Sequence, residues 1–366
     1  MTEHVVVSEF AAPTEAASEL NGELEAQRRK VDADNFDVTV RELVRMVSEN
    51  ELDRAPEYQR QFRWKEAQES KLVESILLGL PVPTIFVATN KNGTWEVIDG
   101  LQRVSTLVHY VADPPDSVGS VGKNEALRLE DLDKLPAFNG LTFADLPAPI
   151  QLAFLKRPLR VTALSDKSDV DVRFDMFERL NTGGIALTAQ EVRACIFRGK
   201  FAEFLTMLAS DANFNTIIKL KEGSENDGTR EELVLKFFAY LERRDDFEGK
   251  VKNFLNDYMK HVPANYDYAS RTNLFRSVVA ELARILHGPI LRRDVGWSPT
   301  NLAEAVLVGA ADLVQNGVTT FTPDGDWLND RLLTKQSSAG SNTRKYLKGR
   351  IDRAYALLSG SAPETD

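Results

Sequence analysis

The side chains best placed to do chemistry lie in Trp95-Glu96-Val97-Ile98-Asp99-Gly100-Leu101-Gln102-Arg103. The segment reads as a strand that leaves through a glycine turn directly into a helix. Unpaired backbone N–H groups at a helix start, assisted by the helix dipole, form a ready anion site. Gly100 lets a phosphate approach the backbone, and Arg103 can offer it a forked, charge-assisted pair of hydrogen bonds. Asp99 is placed to hold a metal or polarise a water, and Gln102 to orient that water. The plain structural alternative is that Asp99 caps the helix and Arg103 makes a surface ion pair.

Two further segments carry suitable residues. In Pro56-Glu57-Tyr58-Gln59-Arg60-Gln61-Phe62-Arg63-Trp64, two arginines alternate with aromatic rings. They offer phosphate contacts together with faces on which a base could stack; the alternative is a loop pinned by Tyr58 and Trp64. In Phe177-Glu178-Arg179-Leu180-Asn181-Thr182-Gly183-Gly184, an Asn and two glycines follow a helix. That pattern ordinarily makes a C-cap. Its functional version closes Asn181, Thr182 and the glycine amides over a nucleotide.

The elements that must position these residues follow from periodicity. Residues 1–35 lack it and are expected to form a disordered tail, with order beginning at Thr39. Thr39 and Glu42 suggest a capping box for a helix bearing Leu43, Met46 and Val47 on one face. A helix from about Glu66 ends at Gly79 and Pro81, and strands near Ile85–Ala88 and Thr94–Ile98 flank a turn containing Asn92-Gly93. Asp99-Gly100 opens a helix running to about Val111. Pro114 to Pro136 is loop-rich, a short helix spans about Pro149–Leu155, and Leu159, Val161 and Ala163 alternate as in a strand. Thr188 and Glu191 suggest a second capping box. Helical periodicity then recurs at about 200–210, 230–243, 250–260, 272–287, 300–315 and 343–358. The expected fold class is α+β: a mixed α/β domain over 36–198 and an all-helical domain over 199–366.

Four ordered motifs resemble the GmrSD-type restriction proteins, N-terminal domain: Pro56–Trp64, Ser75-Ile76-Leu77-Leu78-Gly79-Leu80-Pro81-Val82-Pro83, Asp99–Arg103, and Leu180–Gly184 followed by Leu187-Thr188-Ala189-Gln190-Glu191. The resemblance implies a ParB/sulfiredoxin-like domain in which the helix after the glycine turn binds phosphates. It also implies nucleoside triphosphate hydrolysis, or a share in DNA cleavage, within bacterial anti-phage restriction. Carried over, Asp99, Gln102 and Arg103 are catalytic candidates with Arg60 beside them. Nucleotide contacts are expected from Tyr58, Gln59, Arg63, Gly100, Asn181, Thr182 and Gly183, and Mg²⁺ is an expected companion on Asp99. One departure is Leu101, where the family's Asp-Gly-Gln-Gln-Arg has its first Gln; leucine cannot hydrogen-bond a phosphate or a water.

Longer relatives append a His-based nuclease domain. Here only His261-Val262-Pro263 echoes it, so no such nuclease site is expected, and His109 and His287 read as packing or capping residues. One cysteine and four histidines do not make a zinc site of the usual spacing. Cys195 reads as core. No apolar run is long enough to cross a bilayer and the N-terminus does not resemble a secretory signal, so a cytoplasmic protein without membrane contact is expected. A formal net charge of −10 does not draw nucleic acid by overall field. The exception is local: Lys335 to Arg353 holds six basic residues against Asp352 alone. Arg344, Lys345, Lys348 and Arg350 are therefore the expected DNA contacts, with a solvated terminal helix as the alternative.

Two functional readings emerge. The first is a nucleotide hydrolase or nuclease component of a restriction system. The second is a binding module in which the nucleotide acts as a switch, and the helical half recruits DNA, a separate nuclease or a methyltransferase. Homo-oligomerisation is compatible with both.

Overall fold

A computed structural model of the chain describes residues 15–28, 32–54, 64–90, 92–113, 115, 117–165, 174–176, 179, 188–225, 227–338, 340 and 342–361. The chain divides into two compact units. Among the described residues, no helix is long and apolar enough to cross a membrane.

The first unit opens with α1 (Glu15–Arg28) and β1 (Ala33–Thr39). α1 and the first three residues of β1 lie where a disordered tail was expected, and the side chains of α1 from residues 18 to 26 are exposed. β1 is ordered by its partner: all seven of its residues pair antiparallel with β5 (Pro158–Leu164), from Ala33↔Leu164 to Thr39↔Pro158. Its own sequence shows little beyond Phe36 and Val38 to announce a strand.

α2 (Val40–Ser48) begins at Thr39, whose side chain accepts from the Glu42 backbone N–H at 3.3 Å. The return half of the expected capping box is missing, because the Glu42 carboxylate turns to Arg45 at 2.7 Å. β2 (Leu52–Asp53), α3 (Glu66–Leu78), β3 (Ile85–Thr89), β4 (Trp95–Asp99) and α4 (Leu101–Val111) follow, then α5 (Ser117–Ser120) and α6 (Ala148–Leu155).

The sheet runs β1-β5-β3-β4-β2. The β3–β4 hairpin is antiparallel, with an irregularity between Phe86 and Val87, whereas β5 lies parallel to β3 and β2 parallel to β4. Alternation sends Ile85, Val87, Val97 and Val161 to one face, against Leu43 and Val44 of α2, Val73 and Ile76 of α3, and Val104 and Leu107 of α4. Each such side chain contributes about 1.5–3 kcal/mol by leaving water. The result fixes the end of β4 and the start of α4.

A polar row on α3 orders the irregular chain after α5. Ser70 Oγ accepts from the Glu130 N–H at 3.0 Å, and Glu74 Oε1 accepts from the N–H groups of Lys134 and Leu135 at 2.7 and 2.8 Å. Side chains thus satisfy backbone donors that no strand or helix reaches. His109 joins the same layer, with Nδ1 2.7 Å from buried Glu69 Oε2 and Nε2 3.0 Å from the Glu125 carbonyl. It is a packing residue, as expected.

The second unit has helices and no strand among its described residues: α7 (Ala189–Ile196), α8 (Lys200–Ala209), α9 (Ala212–Ile217), α10 (Thr229–Arg243), α11 (Val251–Lys260), α12 (Tyr268–Leu286), α13 (Thr300–Gln315), α14 (Arg331–Gln336) and α15 (Arg344–Leu358). The sequence gives no forewarning of the short α9 and α14, which start at the side-chain caps Asp211 and Asp330. The capping box at Thr188 is complete: its hydroxyl accepts from the Glu191 N–H at 3.2 Å, and Glu191 Oε2 accepts from the Thr188 N–H at 2.7 Å. α13 runs through the core, with Leu302, Val306, Val308 and Leu313 fully buried. Cys195 is buried, as expected, and His287 ends α12 in a left-handed conformation.

The two compact units divide ahead of α7. The physical reason is Arg193 of α7, which is buried and bonded to Asn256 of α11 and Glu232 of α10 at 2.9 and 3.0 Å. α7 therefore packs with the helices that follow it.

Candidate functional site

β4 and α4 meet at Gly100, which has φ 107°. That left-handed geometry suits glycine, and space enforces it as well: a Cβ would stand 3.2 Å from both Arg103 Nη2 and Ile85 Cγ1. The Arg103 guanidinium therefore folds back over the bare Gly100 Cα. It reaches Asp99, with Nη2 2.6 Å from Oδ2; the Arg103 side chain is 11% exposed and that of Asp99 34%.

The N-cap of α4 is Gly100, and among the described residues no side-chain cap bond is made there. Asp99 is thus not the N-cap that the plain reading required, although it does form the ion pair, and Arg103 lies under the surface. The first turn of α4 begins beside the Arg103–Asp99 pair. A phosphate entering there would meet helix N–H groups and a cation already desolvated. It would also have to share Arg103 with Asp99.

Gln102 is half-buried, and its Oε1 accepts from the Trp64 backbone N–H at 3.1 Å. This bond ties the end of the aromatic-arginine segment to the first turn of α4, so Gln102 has a positioning task. Tyr58, Gln59, Arg60 and Arg63 lie outside the described residues, as do Asn181, Thr182 and Gly183.

Leu101 is half-buried and packs against the core of the first unit. A glutamine there would place an amide among apolar side chains. Leu101→Gln is expected to lose about 1–3 kcal/mol of stability with no gain in nucleotide turnover. Thermal melts alongside phosphate release check this; unchanged stability with clearly faster hydrolysis would refute it.

Glu96 is a candidate that the sequence reading passed over. It is fully buried and engaged in polar interactions, three residues before Asp99, with Ala88 and Asp53 as its strand neighbours. A carboxylate is kept in such a place only when compensated. Its visible signal was a charged residue within the apolar strand Trp95–Ile98.

The expected nucleic-acid surface requires a correction. Arg344, Lys345 and Lys348 of α15 are exposed, and Arg344 Nε donates to the Phe247 carbonyl at 3.0 Å. Arg350 is fully buried and paired with buried Glu304, so it cannot touch DNA from that position. Arg353 is likewise buried, 2.7 Å from Asp330. Helical periodicity turns these two inward, and their charge is compensated inside the unit. His261 is exposed beside Asp257, and no cluster of three or more His, Cys, Asp or Glu side chains suited to a metal occurs among the described residues.

The fold is α+β, with a strand–glycine–helix junction at Gly100. Residues 40–198 match the family model for the GmrSD restriction endonuclease, N-terminal domain. No curated protein and no solved structure matches the chain.

Proposed function

We propose that the chain is the nucleotide-binding component of a bacterial DNA-restriction system, and that the start of α4 receives the phosphates. The observation that carries this reading is the uncapped first turn of α4 with the buried Arg103 guanidinium laid over Gly100. The five-stranded mixed sheet and the helix entered through a glycine turn support a ParB/sulfiredoxin-like first unit. Asp99 would hold Mg²⁺, and the ion would offset the charge of the nucleotide phosphates there. Hydrolysis, where it occurs, uses Asp99 and Gln102 about an in-line water; Arg60, Tyr58, Gln59, Arg63 and Asn181 to Gly183 complete the nucleotide contacts. The exposed Arg344, Lys345 and Lys348 suit a DNA backbone, and a separate nuclease or methyltransferase is the matching partner in the cytoplasm.

Asp99→Asn tests the geometry. Asp99 and a phosphate compete for Arg103, so without Mg²⁺ the variant should bind nucleoside triphosphate at least as tightly as the parent. With Mg²⁺ it should lose the metal-dependent gain in affinity and any phosphate release. Weaker metal-free binding by a folded Asp99→Asn protein would contradict the shared-arginine arrangement.

The alternative reading, a nucleotide-sensing module without turnover, is favoured by one observation: Leu101 packs where relatives carry a glutamine. Phosphate release separates the two readings.

A further inference from the structure

Three leucines of the first unit face water where α3 and α6 end. Leu78 and Leu80, on either side of Gly79, and Leu152 of α6 are between 42% and 53% exposed. Arg157 ties the two helix ends together. Its guanidinium lies against Gly79, where a Cβ would stand 2.8 Å from Nη2, and Nη2 donates to the Leu77 carbonyl at 3.4 Å. Leu152 lies about one helical turn before the exposed Lys156. Neither Lys156 nor Arg157 has a carboxylate partner among the described residues. The result is an apolar surface with a basic rim, the pattern of an interaction site.

α1 has the opposite character. Leu20 and Leu24, four residues apart on one helix face, are exposed, Leu20 to 68%. Glu15, Glu19, Glu23 and Glu25 against Arg28 make the helix acidic. A helix this short is marginal alone in water, and Gly22 at its centre weakens it further. Its order therefore calls for a surface that covers Leu20 and Leu24.

We propose that α1 docks on a second copy of this chain, with Leu20 and Leu24 laid on Leu78, Leu80 and Leu152 and with Glu19 and Glu23 towards Lys156 and Arg157. The exchange is reciprocal, as a two-fold dimer requires. Charge selects this pairing: two copies of α1 would bring glutamates together, and two leucine surfaces would bring cations together. Within one chain the helix is led away from the surface. β1 runs antiparallel to β5, with Ala33 at Leu164 and Thr39 at Pro158. α1 thus joins the sheet at the end remote from Arg157, about 20 Å along the strand, and its leucines stay uncovered by their own chain.

The test is the oligomeric state of the intact protein, measured by size-exclusion chromatography with light scattering. The parent should be a dimer. Leu20→Asp with Leu24→Asp spoils the arm and keeps the surface; Leu78→Asp with Leu152→Asp spoils the surface and keeps the arm. Each pair should weaken self-association by about 100-fold or more. All four positions are exposed, so both variants should keep their fold, which circular dichroism checks. Mixing the two variants should restore a heterodimer, because one supplies the arm and the other the surface. Contact between two arms, or between two surfaces, could not restore it. A monomeric parent, a dimer that survives either pair of substitutions, or mixed variants that stay apart would overturn the proposal.

Discussion

Glu304→Ala is expected to destabilise the helical unit by about 3–5 kcal/mol and to lower its Tm by on the order of 10 °C. Glu304 is 1% exposed on α13 and stands between two buried cations: Oε1 is bonded to Arg350 of α15, and Oε2 lies 3.7 Å from Lys236 of α10. The chain of charge continues from Lys236 to Glu232 at 3.0 Å and from Glu232 to Arg193 at 3.0 Å. Three cations thus share two carboxylates inside a helical core. Burial opposes the charge on Lys236, yet Glu304 and Glu232 hold it above its ordinary value. Burial likewise opposes the charge on Glu232, and Lys236 with Arg193 more than offset it. Removing Glu304 leaves three cations with one carboxylate, Glu232, among them, and strands Arg350, which Glu232 does not pair. Glu304→Ala combined with Arg350→Met should recover part of the loss, because it removes a stranded charge and fills the space with an apolar chain. Denaturant or thermal unfolding decides. A Glu304→Ala protein within about 1 kcal/mol of the parent would mean that the network is not buried as described.

The second large effect concerns binding. Arg103→Ala should weaken nucleoside triphosphate by about 100-fold or more, since it removes a charge-assisted fork from a water-poor position at the start of α4. The stability cost should be smaller, about 1–2 kcal/mol, because the Asp99 left behind is partly exposed and water can solvate it. Arg103→Lys should recover little affinity. A lysine presents a single ammonium where the guanidinium lies flat over Gly100.

Much of this architecture was legible in local sequence. The stop of α3 at Gly79, the strand–glycine–helix junction at Gly100, the alternation of β5 and the cap at Thr188 each depend on a few neighbouring residues, and each occurs where expected. What local pattern does not carry is partnership over distance. β1 is a strand because β5, more than a hundred residues later, offers it a full ladder. Arg350 resembles a solvated cation until Glu304 is brought beside it by the packing of α13 on α15. Gln102 could be read as a water-orienting group, but nothing adjacent to it announces its bond to Trp64. Glu96 was hidden for the opposite reason: strand alternation buries it, while its charge suggests exposure. Asp99 and Arg103 were each legible as candidates; that they pair with each other beside Gly100 was not.

The most direct test of the central claim is calorimetric titration of the parent protein and Arg103→Ala with each nucleoside triphosphate and Mg²⁺, with phosphate release followed in parallel. Phosphate binding at the start of α4 predicts saturable binding of at least one nucleotide by the parent and loss of that binding in a folded Arg103→Ala protein. Equal affinity in the two proteins, or no nucleotide binding by the parent, would contradict it.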